Sequence, residues 1–176
     1  IRKAGLQADV IIGTSLVNMY AKCGDLTEAR DVFARLHGRN DISWNAMIAV
    51  YANRFHAHTN NSNNEAFCLF KHMCGCGFEP DVVTFISILS ACLTSFEGKH
   101  IHRLIVENGS DSNIVVANAL LNMYSRCDCK EDALRIFDKI EDYDTVAYSS
   151  IISACANWAA LTEGQQIHAS IMGTET

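Results

Sequence analysis

Apolar residues recur along this chain at the spacing of one face of an α-helix. Two sets of four follow the i, i+3, i+4, i+7 pattern: Leu16, Met19, Tyr20 and Cys23, then Ala29, Val32, Phe33 and Leu36. Asp25 and Glu28 predict a capping box at the start of the second helix, and Asp81 predicts an N-cap after Pro80. The helical period continues beyond the β-prone residues that follow Asp9, so we predict a helix there as well.

Related sequence motifs recur in the helical segments. Thr14-Ser-Leu-Val-Asn-Met-Tyr20 matches Asn118-Ala-Leu-Leu-Asn-Met-Tyr124. A second type, Ile86-Ser-Ile-Leu-Ser-Ala-Cys92, returns as Ser149-Ser-Ile-Ile-Ser-Ala-Cys155, and a third type begins at Trp44. Equivalent positions 14, 45, 86, 118 and 149 are 31, 41, 32 and 31 residues apart, which is typical of helix–turn–helix repeats. Each pair has an apolar face that only a neighbour can cover, so we predict an all-α, right-handed helical-repeat solenoid.

Composition is consistent with this architecture. Apolar residues make up 49% of the 176 residues, and Pro80 is the single proline. No run of about 18 apolar residues occurs, so we expect no membrane-spanning helix. The net charge of −6 argues mildly against nucleic-acid binding through bulk positive charge. The chain begins at Ile1 with no leader-like segment, and we expect a fragment whose targeting leader is missing.

The eight cysteines do not predict a metal site. The close pairs Cys74–Cys76 and Cys127–Cys129 have one intervening residue, a poor match to zinc-site spacing. Recurrence within apolar helices is typical of small buried hydrophobes, so we expect free thiols in a reducing compartment. His56 and His58 lie in a polar segment, 56–64, that we predict to be a mobile loop. We expect no metal and no cofactor.

The recurring motifs resemble those of the long/short subclass of the pentatricopeptide repeats of land-plant organelles, in which three repeat types alternate. The resemblance covers essentially the whole chain and implies that 1–9 is the tail of a preceding long repeat. The repeats that follow are a short one at 10–40, a standard one with a loop insertion at 41–81, a long one at 82–113, a short one at 114–144 and an incomplete long-like one at 145–176. The deaminase extension of some relatives does not occur in this sequence.

The resemblance implies binding of single-stranded RNA, with one base read by each repeat. In the family, the fifth and last residues of a repeat face one base edge, which a side-chain amide can match with its donors and acceptor. Carried over, the base-reading residues are Thr14 with Asn40, Asn45 with Asp81, Ile86 with Asn113, Asn118 with Asp144, and Ser149 alone. The family pattern implies adenine for the first pair and uracil for the two Asn/Asp pairs. The implied RNA is 5′-A-U-n-U-3′.

The resemblance implies two further sets of contacts. The second residue of each repeat is expected to sandwich the base, and these residues are Ile11, Ile42, Val83, Val115 and Val146. The alternative is that they are core residues at helix starts. Lys22 and Arg126 occupy one repeat position, which contacts phosphate in relatives, and two such contacts predict a shallow salt dependence.

Two other classes of function stay open. A helical-repeat scaffold for protein–protein interaction fits the acidic balance. An enzyme would need a constellation such as His100, His102 and Cys92, or His168 and Cys155, whose recurrence in two repeats favours packing, so we predict no catalysis. The resemblance further implies a mitochondrial or chloroplast location, partners in RNA editing, splicing or stabilisation, and self-association of a fragment with uncapped end faces.

Overall fold

A computed structural model describes residues 9–53, 61–140 and 144–173, with the backbone alone for residues 61–64. Within these ranges the secondary structure consists of α-helices, with no strand. The helices are α1 (Val10–Lys22), α2 (Leu26–Ala34), α3 (Asp41–Ala52), α4 (Asn61–Gly75), α5 (Val82–Ala91), α6 (Ser95–Asn108), α7 (Ile114–Arg126), α8 (Lys130–Asp138), α9 (Thr145–Asn157) and α10 (Leu161–Ile171). Among the described helices, none combines the length and hydropathy needed to cross a lipid bilayer.

The chain forms two compact units, and the first comprises residues 1–91 with helices α1 to α5. The odd-numbered helices pack on one another in chain order, while α2 and α4 pack on α1 and α3. Trp44 is 1% exposed, and its ring centroid lies 5.0 Å from that of Phe33 in an edge-on contact. Large aromatic side chains bury much apolar surface each, so this cluster stabilises the junction of α2 and α3.

The second unit comprises residues 92–176 with helices α6 to α10. Helix α7 contacts α6, α8 and α9, and α9 contacts α10. Leu120, Met123 and Tyr124 of α7 are almost fully buried. The Tyr124 hydroxyl lies 2.8 Å from His102 Nδ1 on α6, so the buried phenol has a polar partner.

The sequence pattern predicted the second helices better than the first. Ala29, Val32, Phe33 and Leu36 are all buried, as expected. Asp25 caps α2 by accepting from Glu28 N at 3.1 Å. The reciprocal half of the predicted capping box is wrong, because the Asp25 N–H donates to the Tyr20 carbonyl.

In α1, only some of the apolar residues predicted to form one face are buried. The helix itself is confirmed, yet Met19 is 42% exposed and Cys23 is exposed, while Val17 is 1% exposed. Apolar residues occupy more than one side of this helix, so their spacing alone does not select the face that packs.

Two further expectations need correction. The predicted loop at 56–64 is wrong in its last part, since α4 begins at Asn61; polar residues such as Asn and Ser suit the first turn of a helix. His56 and His58 lie outside the described residues. All eight cysteines are free, and Cys92 and Cys155 are buried as predicted. The interpretation as a buried hydrophobe is wrong for Cys23, which is exposed.

Candidate functional site

The predicted last residue of each repeat caps the next odd-numbered helix. Asn40 Oδ1 accepts from Ser43 N at 3.0 Å, and Asn113 Oδ1 accepts from Val115 N at 3.0 Å. Asp81 Oδ1 accepts from Thr84 N at 2.8 Å, and Asp144 Oδ1 accepts from Ala147 N at 2.7 Å. An Asn or Asp side chain at this position satisfies an N–H that the helix leaves unpaired. These predicted base-reading residues therefore also hold the first turns of α3, α5, α7 and α9.

Asn45 and Asp81 form a closed polar cluster with Thr84. Asn45 Nδ2 donates to both carboxylate oxygens of Asp81, at 3.0 and 3.1 Å. Thr84 Oγ1 lies 2.6 Å from Asn45 Oδ1 and 2.8 Å from Asp81 Oδ1, so its one hydroxyl proton is shared between these two acceptors. The predicted pair therefore meets in space, and the amide has partners on both of its polar atoms.

The Asp81 carboxylate is electrostatically favoured in its charged form. Burial alone would raise its pKa, but hydrogen bonds from the Thr84 backbone and hydroxyl, the Asn45 amide and the Val83 backbone hold the pKa below its ordinary value. Hydrogen bonds to a carboxylate favour ionisation. The cluster is thus built around an ionised carboxylate.

Asn118 and Asp144 also meet, but their cluster is open. Asn118 Nδ2 donates to the two Asp144 oxygens, at 3.2 and 3.0 Å. The position equivalent to Thr84 is Ala147, which has no hydroxyl. Asn118 Oδ1 is buried and has no hydrogen-bond partner in the described structure. A buried acceptor without a partner costs free energy, so the second cluster is less well satisfied than the first.

The other predicted base-reading residues do not form such pairs. Thr14 Oγ1 donates to the Val10 carbonyl at 2.7 Å, and in the described part of the chain no hydrogen bond joins Thr14 to Asn40. Ile86 is half-buried on α5. Ser149 is exposed on α9, and its hydroxyl lies 2.7 Å from the Thr145 carbonyl.

The five aliphatic residues predicted to sandwich a base are all exposed. Their exposed fractions lie between 52% and 79%, in the first turns of the odd-numbered helices: Ile11, Ile42, Val83, Val115 and Val146. The alternative that they are core residues is therefore wrong. Within each unit, exposed aliphatic side chains therefore stand beside the capped helix starts.

The two predicted phosphate contacts lie at the other end of their helices. Lys22 and Arg126 occupy the last turns of α1 and α7, and both are exposed. Lys22 is about 12 Å along the helix axis from Thr14, at 1.5 Å per residue. A cation in this position also interacts favourably with the helix dipole, so the placement by itself has a structural explanation.

Beside Arg126 lies a polar cleft that sequence reasoning missed. Its volume is 270 Å³, and α7 and α9 line it with Ser125, Arg126, Ser149, Ser153 and Asn157 among others. The serine hydroxyls donate to their own helix backbones, and their oxygens remain able to accept. Small polar residues at i, i+4 along α9 are the sequence signal that could have revealed the cleft.

The constellation considered for catalysis does not have the properties of a nucleophilic site. Burial, followed by the charge of Glu97, raises the pKa of the Cys92 thiol to about 12. Burial also raises the pKa of Cys155. A thiol rather than a thiolate is a poor nucleophile. Within the described ranges, no group of three or more His, Cys, Asp and Glu side chains is arranged to hold a metal ion.

Thr84 and Ala147 are residues whose roles we did not predict from the sequence. They follow the caps Asp81 and Asp144 by three positions, where a hydroxyl can complete a reciprocal cap. The signal was present as the Asp81-x-x-Thr84 spacing. The further bond of Thr84 to Asn45, 39 residues away in the chain, depends on the packing of α3 against α5.

Comparison with known proteins gives matches along most of the chain. A family model described as PPR repeat family matches residues 39–94, and one described as PPR repeat matches residues 14–40 and 115–144. The mitochondrial pentatricopeptide repeat-containing protein At3g09040 of Arabidopsis thaliana is 37% identical over 86% of this chain and 14% of its own length. The chloroplastic protein At4g25270 of the same plant is 36% identical over 94% of this chain and 31% of its own length. The chain thus spans less than a third of the relatives it matches here.

Solved structures share the fold. The crystal structure of the pentatricopeptide repeat protein PPR10 in complex with an 18-nt psaJ RNA element gives a TM-score of 0.72 at 19% identity, covering 98% of this chain and 26% of that one. PPR10 from maize gives a TM-score of 0.68 over 96% of this chain and 25% of that one, also at 19% identity. The likeness shows a helical-repeat fold for this chain.

Proposed function

The chain belongs to the pentatricopeptide repeat family, and we propose that it binds single-stranded RNA along the first turns of its odd-numbered helices. The observation that carries the proposal is the pairing of Asn45 with Asp81 and of Asn118 with Asp144 beside exposed aliphatic side chains. The 18-nt RNA bound to PPR10 supports it by relationship. Sequence-specific RNA modules generally read unstacked bases by their edges and faces, and this surface offers polar groups for an edge and apolar groups for a face.

The two Asn/Asp pairs are proposed to read uracil. Uracil presents one ring N–H donor between two carbonyl acceptors, and Asn118 Oδ1 is a buried acceptor that lacks a partner. If the cluster opens on binding, a base can supply the missing donor and remove the cost of that unpaired atom. The pair Thr14 and Asn40 is proposed to read adenine, which gives 5′-A-U-n-U-3′ with an unread base at Ile86 and Asn113. Ser149 is proposed to contribute to a further base position.

Base stacking and phosphate contacts complete the proposed interface. Ile11, Ile42, Val83, Val115 and Val146 would pack on base faces, which the exposure of all five supports. Lys22 and Arg126 would neutralise phosphates, and the polar cleft beside Arg126 offers acceptors to ribose hydroxyls. With a net charge of −6, the affinity would depend on base contacts more than on bulk charge.

The biological setting follows from the relatives. At3g09040 is named as mitochondrial and At4g25270 as chloroplastic, so we propose that this chain acts on RNA in one of these organelles. It would serve as the binding module in editing, splicing or stabilisation, together with the proteins of an RNA-processing complex, and would not itself catalyse a reaction.

A fluorescence-anisotropy titration at low salt tests the proposal. The probes are an RNA containing A-U-n-U, a scrambled RNA and the matched DNA. Tighter binding of the matched RNA is expected, and Asn118→Ala should weaken it, because the base edge loses its partner. Gln166→Ala, which removes an exposed amide from α10, is the matched control and should bind as the unchanged protein. Equal affinity for all three probes would contradict base reading.

A change of specificity is a sharper test. The family pattern implies that Asn40→Asp shifts the first repeat from adenine towards guanine. An unchanged preference at that base would contradict the assignment of Thr14 and Asn40. A scaffold for peptides is the second candidate, favoured by the net charge of −6, and absence of RNA binding in a longer parent chain would favour it.

A further inference from the structure

A cluster of rings fills the space between α2, α3 and α4 in the first unit. The Trp44 ring of α3 lies 5.0 Å from the Phe33 ring of α2 and 5.3 Å from the His72 ring of α4, edge-on to both. The Arg39 guanidinium lies over the Trp44 ring, 5.6 Å from its centre. Trp44 is 1% exposed, so an indole is the group that closes this space.

Smaller or more polar residues stand at the equivalent positions around α6, α7 and α8 in the second unit. The replacements are His102 for Phe33, Ser112 for Arg39, Ala117 for Trp44 and Lys139 for His72. Ala117 precedes the paired asparagine of α7 as Trp44 precedes that of α3, and Ser112 precedes the cap of α7 as Arg39 precedes that of α3. His102 follows the first-turn glutamate of α6 by five residues, as Phe33 does in α2. Lys139 follows a buried phenylalanine by two residues, as His72 does.

These replacements leave a cavity of 680 Å³ in the second unit. All four replacing side chains line it, and Leu120 and Ile136 form part of its apolar wall. The volume lies within the range of about 300–1,000 Å³ found for small-molecule sites, which combine an apolar wall with a few polar groups. The space of a missing indole is therefore available to a ring that the described residues do not supply.

Hydrogen-bonding groups of opposite kinds stand at the mouth of this cavity. Asp111 and Lys139 are exposed and line it, so they offer a carboxylate acceptor and an ammonium donor. His102 Nδ1 lies 2.8 Å from the Tyr124 hydroxyl, which leaves Nε2 as the ring nitrogen for a ligand. Burial, followed by the charge of Lys139, lowers the pKa of His102 from its ordinary value of 6.5, so the ring is mostly neutral at pH 7. A ligand ring with both donors and acceptors on its edge matches this set.

We infer that the cavity binds a purine ring. A purine has two fused rings, like the indole that fills the equivalent space in the first unit, whereas a pyrimidine has one. Adenine and guanine carry ring-nitrogen acceptors and an amino donor on their edges, which suit Lys139 and Asp111. Indole has a single donor and would leave Lys139 without an acceptor.

A free purine nucleoside and a purine of a bound RNA share this chemistry. Asn113 lines the cavity and belongs to the repeat whose base is proposed to be unread. A purine at that position of the RNA is therefore one source of the ring, and a free nucleoside is the other. Binding of a free nucleoside does not rest on the proposed RNA surface, so the two can fail separately.

Amide chemical-shift titration of the 176-residue chain with adenosine, guanosine and cytidine tests the inference. Both purine nucleosides should shift the Ala117 amide, and cytidine should bind about tenfold more weakly because it lacks the second ring. Ala117→Trp places the indole of the first unit in the cavity and should abolish binding. Gln166→Trp adds the same side chain at an exposed position outside the lining and should bind as the unchanged protein. Equal far-ultraviolet circular dichroism checks that both variants fold.

Substitutions at exposed positions keep the test decisive if Ala117→Trp fails to fold. Asp111→Ala and Lys139→Met should each weaken purine binding about three- to tenfold, because each removes one hydrogen bond to the ring edge. Asp138→Ala changes an exposed carboxylate beside Lys139 that does not line the cavity, and should have no effect. Purine binding that is insensitive to the substitutions at 111, 117 and 139 would overturn the inference.

An RNA series separates the two sources of the ring. Anisotropy titrations compare A-U-n-U probes with adenine, guanine or cytosine at n. If the RNA supplies the ring, the purine probes should bind more tightly than the cytosine probe, and Ala117→Trp should remove this preference. Nucleoside binding without such a preference identifies a free purine as the ligand. Absence of purine binding in both arms would overturn the inference.

Discussion

The clusters around Asn45 and Asn118 contain the same pair of residues and differ in one neighbour. Both amides donate to both oxygens of an aspartate that caps the next helix. Thr84 satisfies the amide oxygen in the first unit, while Ala147 leaves it without a partner in the second. The pair alone thus does not decide whether the amide oxygen has a partner, because a third side chain supplies or lacks the donor. We expect the first cluster to be more stable and the second to respond more strongly to a bound base.

Removing the aspartates should have the largest effect and should separate the clusters. Asp81→Ala removes a helix cap and leaves the Asn45 amide, which is 7% exposed, without its acceptor. The expected loss is about 1–3 kcal/mol of unfolding free energy. Asp144→Ala should cost less, because its cluster lacks the hydroxyl. Urea denaturation followed by the fluorescence of Trp44, in a Trp158→Phe background, measures the first unit, and the fluorescence of Trp158, in a Trp44→Phe background, measures the second. Equal losses of unfolding free energy in both variants would contradict the expected difference between the two clusters.

Exchanging the third residue should convert one cluster towards the other. Thr84→Ala should destabilise the first unit by about 1–2 kcal/mol, since Asn45 Oδ1 loses its donor. Ala147→Ser should stabilise the second unit by up to about 1 kcal/mol if its hydroxyl reaches Asn118 Oδ1. Thermal unfolding of each variant checks the two signs. A loss of stability in the serine variant would show that the fully buried site is too tightly packed for a hydroxyl.

Acid should act on the first cluster through Asp81. Its pKa is lowered in the folded chain from an ordinary value of 3.8. A lowered pKa stabilises the folded chain at pH values above 3.8 and ceases to do so as the pH falls through the lower folded value. The unfolding free energy of the first unit should therefore fall on acidification, and Asp81→Asn should flatten this dependence. An unchanged pH profile in that variant would rule out Asp81 as its source.

The smallest expected effect is on the salt dependence of RNA binding, through the two cationic residues at the ends of α1 and α7. Replacing both Lys22 and Arg126 by Ala should flatten the slope of log affinity for RNA against log salt by about 1.4, or about 0.7 for each residue. Anisotropy titrations at several salt concentrations measure the slope. All RNA sequences should be weakened alike, and a loss confined to one base would contradict their assignment to phosphate.

The second helices were readable from sequence because their apolar residues lie on one face. Ala29, Val32, Phe33 and Leu36 are all buried as predicted. The first helices are apolar on several sides, since they pack against their own partner and against neighbouring first helices. Spacing therefore predicted α1 but not the exposure of Met19.

At the site, spacing along the chain predicted which residues recur at helix starts, that Asp81 caps a helix, and that aliphatic residues stand beside the caps. These follow from local spacing and hydrogen bonding, which act over a few residues. Tertiary structure alone decided that Asn45 meets Asp81 across 36 residues, that Val83 and its counterparts are exposed, and that Asn118 Oδ1 has no partner. Each of these features depends on how one helix packs against another. Asn118 Oδ1 has no partner because α9 carries Ala147, which has no hydroxyl, at the position of Thr84.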